Sequence, residues 1–301
     1  MLPSLHRRDF LAQSAAASAA IAAAGAIPAR AAARVALPTG PTQKVTLGKS
    51  GIQVSLIGMG TGSVGTNQSS NQVKLGVKGF TKVVRHALER GVCFFDVADQ
   101  YGSHVFLREA LKGVPRDQYV IQTKTHAKDE RIARSHVERY CLELGVEMID
   151  ILLLHCMTTK TWPEDHAGAM EYLAKAKAQG LIRAHGTSCH GFDPLRTSAK
   201  HPFVEVDLAR INPEGLIMDQ KPDEVASELQ EFHDRGCGVV GMKILGEGRI
   251  NTPERIDASL RYVLGLGTVD AFVIGFESAE QVDDMIERTG RAIADLGKKP
   301  A

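Results

Sequence analysis

The feature that most constrains this chain is a repeated alternation of short apolar runs with helical stretches that mostly stop at a glycine. Strands are expected over 55–60, 92–97, 119–123, 149–154, 182–186, 204–209, 238–244 and 271–274. The run at 92–97 is compact and almost wholly apolar, as a strand covered on both faces must be. Helices are expected between the strands, over 81–89, 133–144, 167–178, 222–235 and 256–264. Gly91, Gly145, Gly180, Gly236 and Gly265 stand where these segments end, the position that favours a left-handed residue. Regular β–α alternation means a parallel sheet. Eight such units in one chain predict a closed (β/α)8 TIM barrel rather than an open doubly wound sheet. The glycine-rich segment Gly58-Met59-Gly60-Thr61-Gly62 is followed by a long polar loop to Gly79, whereas a doubly wound dinucleotide fold needs a helix there at once. Ahead of the barrel, two short strands flank Gly48-Lys49-Ser50-Gly51 and read as an N-terminal β-hairpin. Hairpin and barrel together are expected to span 45–290.

The first residues do not read as part of that fold. Arg7-Arg8 precedes Asp9-Phe10-Leu11, a weakly apolar, Ala-rich run to Ile27, and a small-residue cleavage site at Ala29-Arg30-Ala31. A basic start, a short apolar middle and a small-residue end make 1–31 a secretory signal, too short and too weakly apolar to span stably. An Ala-rich amphipathic helix or a lipid-free anchor is the alternative. The paired arginines resemble a twin-arginine signal. That resemblance implies a bacterial protein handled by the twin-arginine translocase, exported folded to the periplasm with any cofactor loaded first. No later segment has the length and apolarity of a membrane helix. A net charge of +1 gives no electrostatic reason to expect nucleic acid or an acidic membrane as partner. The five cysteines, at 93, 141, 156, 189 and 237, form no C-x-x-C pair, so neither a disulfide framework nor an iron–sulfur or zinc pattern is present.

In a barrel the residues that do chemistry sit just past the C-terminal ends of the strands. The second strand ends in Asp96 and is followed by Tyr101, the third carries Lys124, and the fourth ends at His155. These four can converge on one point of the mouth. A lysine ammonium stabilises a phenolate and draws the tyrosine pKa down from about 10, while an aspartate keeps the lysine charged and oriented. Such a tyrosine can protonate an alkoxide forming in a carbonyl reduction, or take the proton back in the reverse reaction. The histidine can hydrogen-bond the same oxygen. His126, Cys156, Cys189 and His190 also lie at strand ends, but without short ligand spacing, and no metal is expected. Trp162, after the fourth strand, is placed equally well as a pocket wall or as a cover for the rim. His185 is expected to be packed rather than catalytic.

Taken in order, Asp96, Tyr101, Lys124 and His155 resemble the catalytic tetrad of the aldo-keto reductase superfamily. The flanks agree: Leu47-Gly48-Lys49-Ser50-Gly51, Phe95-Asp96-x-Ala98-x-x-Tyr101-Gly102, Asp150-Ile151-Leu152-Leu153-Leu154-His155 and Gly186-Thr187-Ser188. The resemblance runs from about Val45 to Arg288. It implies hydride transfer between NADP or NAD and a small carbonyl or alcohol substrate, with Tyr101 as general acid, Lys124 and Asp96 as its tuning pair, and His155 as the orienting group. It also implies that Ser188 binds the nicotinamide carboxamide. Two positions depart from the family: Cys189 stands where an asparagine is common, and Asp207 lies near the place of a carboxamide-binding glutamine. Lys243 is a candidate for the cofactor pyrophosphate. The stretch from Ile274 to Gln281 holds no basic residue for a 2′-phosphate. Glu277 there would accept ribose hydroxyls, and Ser278 and Gln281 lie at a helix start able to meet the adenosine end. The alternative functions are a non-enzymatic barrel that senses a cofactor or serves as an accessory subunit and, last, a phosphate-binding isomerase or lyase.

Overall fold

A computed structural model describes residues 36–298; the expected leader over 1–31 lies outside the described residues. Strands β1 (Lys44–Thr46) and β2 (Gln53–Ser55) pair antiparallel as the N-terminal hairpin. Strands β3 (Ile57–Gly60), β4 (Phe94–Asp96), β5 (Val120–Thr125), β6 (Ile149–Met157), β7 (Ile182–Cys189), β8 (Val206–Arg210), β9 (Gly238–Met242) and β10 (Ala271–Gly275) form a closed ring in chain order, β10 meeting β3. The ring pairs are parallel, and each strand is followed by a helix. These are α1 (Gly76–Glu89), α2 (His104–Ala110), α3 (Glu130–Leu144), α4 (Ala167–Ala178), α5 (Phe192–Lys200), α6 (Pro222–Arg235), α7 (Pro253–Gly265) and α8 (Ala279–Gly297). The chain is therefore the (β/α)8 barrel with an N-terminal hairpin that its alternation predicts.

The helices form for local reasons. In α1 the buried residues are Phe80, Val83, Val84 and Ala87, spaced to make one apolar stripe. Asp129 accepts the Ile132 amide to start α3, and Gly145, in the left-handed region, ends it. The strands β5, β6 and β7 run further toward the mouth than the apolar runs suggest, and β9 stops sooner, because Lys243 turns into the left-handed region at φ +54°.

Alternation along each strand divides the core into two. Phe94, Val120, Ile151, Leu153, Ala184, Val206, Leu208, Val240, Ala271 and Val273 point into the barrel and pack as one cluster. Leu47, Ile52 and Val54 of the hairpin belong to that same inner cluster. The hairpin is thus a stopper for the N-terminal end of the barrel, tied there by the Lys49 amide bonding to Gly236 O at 2.8 Å. Gly48 is required at this seam: its φ is +46°, and a β-carbon would strike the backbone of Gly236 and Gly238. Fully burying each of the three hairpin side chains contributes roughly 1.5–3 kcal/mol. With one end stopped, only the C-terminal mouth is left for chemistry.

Candidate active site

Phe94 and Val120 point inward, so two residues on, Asp96 and Gln122 do too, and Lys124 follows two beyond that. The structure confirms the parity through contacts. Lys124 Nζ donates to Asp96 Oδ1 at 2.6 Å and to Val97 O at 3.0 Å, and Gln122 Nε2 donates to the same Asp96 oxygen at 2.8 Å. Lys124 is 1% exposed. Burial alone would drive its pKa down, but the Asp96 carboxylate and Tyr101 outweigh that, and the lysine is held charged. Removing either partner would strand a buried charge, a loss of about 3–5 kcal/mol.

Tyr101 closes a one-turn 3-10 segment (Asp99–Tyr101) after β4, terminated by Gly102 at φ +68°. Its hydroxyl lies 3.5 Å from His155 Nε2, and Lys124 Nζ lies 4.9 Å from the centre of its ring. The loop after β3 presses glycines against that ring: a β-carbon on Gly65 would come to 2.6 Å from Tyr101 Cδ1, and one on Gly62 would overlap the ring edge. The phenol pKa is raised, because burial exceeds the pull of Lys124. The lysine effect read from the sequence operates, but it is not the larger one. His155, two residues beyond inward Leu153, is pushed down to about 2 by burial first and by Lys124 second. It is therefore a neutral imidazole. Its Nδ1 is buried without a hydrogen-bond partner among the described residues, and the His126 ring stacks on it at 4.5 Å. A 3.5 Å separation is at the edge of a direct hydrogen bond, so the phenol and the imidazole flank a point where an oxygen could accept from both.

The four side chains come from three successive barrel strands and the turn after the first of them, at one mouth. The pattern of the Aldo/keto reductase family matches residues 56–261. The chain belongs to the aldo/keto reductase family. The soybean (Glycine max) protein named Probable aldo-keto reductase 1 is 30% identical over 222 residues, 68% of this chain and 60% of its own. The NADH-specific methylglyoxal reductase of Escherichia coli K12 is 25% identical over 191 residues, 56% of this chain and 58% of its own. The chain thus spans about three-fifths of the length of these curated relatives. Among solved structures, a Pseudomonas aeruginosa protein described as an aldo-keto reductase aligns with a TM-score of 0.71 at 18% identity, over 85% of this chain and 98% of its own. The aldo-keto reductase AKR11C1 of Bacillus halodurans in its holo form aligns with a TM-score of 0.66 at 20% identity, over 85% and 96%. At those identities the structures speak for the fold.

The residues proposed for the cofactor end of this aldo/keto reductase separate into three groups. Ser188, inward on β7, is 1% exposed, and its hydroxyl has no partner among the described residues. A buried, unpaired hydroxyl at the mouth is costly unless a ligand uses it, and it suits a carboxamide. Strand parity corrects Cys189 and Asp207. Both side chains point outward to the helix layer: Cys189 Sγ lies 3.3 Å from Ser198 Oγ of α5, and Asp207 Oδ1 accepts from Thr187 Oγ1 at 2.7 Å. Counting by twos from Val206 places Leu208 and Arg210 inward instead. Arg210, which the motif reading missed, is paired with Asp219 from the following loop.

The third group meets protein partners. Lys243 forms an ion pair with Glu247. Burial, followed by the charges of Arg210 and Lys243, lowers His190 to about 3. Glu277 accepts from Asn71 Nδ2 at 2.9 Å. Ser278 caps α8 by accepting the Gln281 amide, and Gln281 Oε1 reaches back to the Glu277 amide at 2.7 Å; these two residues form a reciprocal cap. Trp162 is 1% exposed and packs on His201 and Phe203, within the outer core. His185 Nδ1 donates to Phe203 O at 2.7 Å, and its ring stacks on that of Phe203, as a packed residue would. Among the described residues no group of three or more His, Cys, Asp and Glu is placed to hold a metal ion, and no helix is long and apolar enough to cross a membrane.

Proposed function

We propose that this protein is a nicotinamide-dependent oxidoreductase acting on a small aldehyde, ketone or sugar-like carbonyl, with Tyr101 as the proton donor. The observation that carries the reading is the placement of the Tyr101 hydroxyl between neutral His155 and the buried Lys124–Asp96 pair. When bound, the nicotinamide supplies or accepts the hydride. The carbonyl oxygen would lie between Tyr101 Oη and His155 Nε2. His155, neutral and turned by the His126 stack, donates one hydrogen bond that fixes the oxygen. As charge develops on it, Tyr101 passes over its proton, and the phenolate so formed stands beside the Lys124 ammonium. A raised phenol pKa in the resting site keeps the proton on Tyr101 until that moment; in the reverse direction the phenolate takes it back. Ser188 is the residue of this chain suited to the carboxamide. Glu277, with no basic residue from Ile274 to Gln281, supports NAD over NADP. A barrel that only sensed a cofactor would gain nothing from a buried ammonium beneath a phenol.

The same proposal includes export: the leader over 1–31 directs folded protein through the twin-arginine translocase to the periplasm. Free nicotinamide is expected to be scarce there, so the cofactor would be loaded first and held tightly. Replacing Arg7 and Arg8 with lysine should retain the protein in the cytoplasmic fraction; unchanged periplasmic recovery would remove this part. For the chemistry, calorimetric titration with NADH and NADPH should give saturable binding of at least one. Carbonyl-dependent oxidation of that cofactor should fall about 10²–10⁴-fold in Tyr101→Phe with binding retained. Failure to bind either cofactor would sink nicotinamide chemistry, and full turnover in Tyr101→Phe would remove Tyr101 from its role.

A further inference from the structure

The turn that carries Tyr101 is gripped from outside the barrel by side chains that the proposed chemistry leaves unused. Asp99, two residues before Tyr101, receives a fork from Arg139 of α3: Nη1 to Oδ1 and Nη2 to Oδ2, each at 2.8 Å. Arg139 Nη1 also donates to Glu143 Oε1 at 2.9 Å, one helical turn along α3. Glu143 Oε2 lies 2.8 Å from His104 Nδ1, and His104 Nε2 lies 2.8 Å from Thr123 Oγ1. His104 is the third residue after Tyr101, and Thr123 immediately precedes Lys124. The chain of bonds therefore starts on one flank of Tyr101, passes through α3, returns to the other flank, and ends one residue from the lysine.

Position and chemistry explain why these residue types serve. Arg139 and Glu143 are four apart and share a face of α3. A planar guanidinium fixes a carboxylate in two directions at once, which a lysine ammonium cannot do. The Arg139 bonds hold the Asp99 carboxyl down at about 2, after allowance for burial, so the pair stays ionised at any working pH. His104 is 3% exposed with both ring nitrogens engaged, and the Tyr140 ring meets it edge-on at 4.8 Å. From the inner side, Thr61 Oγ1 donates to Asp96 O at 3.0 Å and accepts from Ser103 Oγ at 2.8 Å. Ser103, His104 and Asp99 thus hold the turn at three points around Tyr101.

We infer that Arg139 is a positioning residue: through Asp99 on one side and Glu143–His104 on the other, it sets the Tyr101 hydroxyl against His155 and Lys124. This rests on the reading of Tyr101 as proton donor. Arg139 belongs to the outer helix layer, and among the described residues its hydrogen bonds go to Asp99 and Glu143, so the expected effect is on the chemical step and not on what binds.

The test compares Arg139→Met, Arg139→Lys, Asp99→Asn, the Arg139→Met/Asp99→Asn double variant and Tyr101→Phe in the full cofactor-loaded enzyme. Turnover, cofactor dissociation constant and melting temperature are read for each. Arg139→Met should lower kcat about 10- to 10²-fold, the effect of a reacting group misplaced by a fraction of an ångström to an ångström, with the dissociation constant unchanged. Arg139→Lys should recover only part of the loss, and the double variant should lose no more than the worse single one, because the two residues act as a unit. Wild-type kcat in Arg139→Met overturns the inference. So does a kcat loss matched by equal losses in cofactor affinity and melting temperature, the pattern of a purely structural ion pair. Full activity in Tyr101→Phe would instead overturn the reading of the site itself, and the inference with it.

Discussion

Asp96 and Asp207 are both strand carboxylates shut away from solvent, 5% and 0% exposed, yet they have opposite surroundings. Asp96 faces into the barrel and accepts from an ammonium and an amide on one oxygen. Asp207 faces out into the helix layer, accepts a single hydroxyl bond from Thr187 directly across the β7–β8 ladder, and leaves Oδ2 without a partner among the described residues. Burial without a cation lifts Asp207 from its ordinary 3.8 to about 7. The comparison teaches that burial alone does not decide what an acid does; the neighbour it is given decides. Where a lysine shares the pocket, the acid is one half of a buried ion pair. Where only a hydroxyl does, the acid is a standing cost to the fold whenever it ionises.

Three substitutions test this contrast. The largest effect is expected from Lys124→Met, which would make Asp96 resemble Asp207. Urea denaturation should show a loss of about 3–5 kcal/mol, and turnover should drop by about 10³-fold or more as the phenolate loses its cation. A variant of near wild-type stability would mean that Asp96 is not ion-paired in solution. Asp207→Asn is next and should act in the opposite direction. The folded-state pKa of Asp207 is raised, so its favourable contribution is fully present below pH of about 4 and is lost as pH rises through about 7. The asparagine variant has no such loss. Its melting temperature relative to wild type should therefore climb between about pH 4 and pH 7 and level off above that, corresponding to on the order of a few kcal/mol. A difference that is flat with pH would show that Asp207 is already ionised when folded at the lower end. The smallest effect belongs to Thr187→Val, which removes the one bond to Asp207. About 1 kcal/mol should be lost at alkaline pH, and less when the acid is protonated; equal losses at both would place the hydroxyl elsewhere.

Much of this was legible in the sequence, and what escaped it has physical causes. Eight apolar runs announce eight strands because a parallel barrel strand is covered on both faces and must be apolar along its length. Asp96, Tyr101, Lys124 and His155 could be singled out because each lies near or just past the C-terminal end of a strand, in a recognisable context. Cys189 and Asp207 were misplaced because a one-residue step along a strand changes which face a side chain takes. Counting from Ala184 and Val206 would have sent both outward and drawn Arg210 in. Just beyond His155 simple counting fails: the β6–β7 register shifts between Leu154 and Met157, where Cys156 adopts φ +63°. The Arg139 network was invisible for a different reason. Its members come from three separate segments of the chain, and only the folded outer layer brings residues 99, 104, 123, 139 and 143 together.

The seam between β10 and β3, where Val273 lies opposite Gly58, has a consequence for how such a chain is made. A ring of strands has no free edge only when it is complete. Until the last strand leaves the ribosome, β3 and β9 both present unpaired backbone, and the pair that closes the ring, β10 with β3, is the most distant in sequence. A message truncated before Ala271 would therefore yield not a slightly smaller barrel but a curled sheet with two adhesive margins, prone to join other nascent copies. Completion of synthesis and acquisition of solubility are, for this fold, nearly the same event.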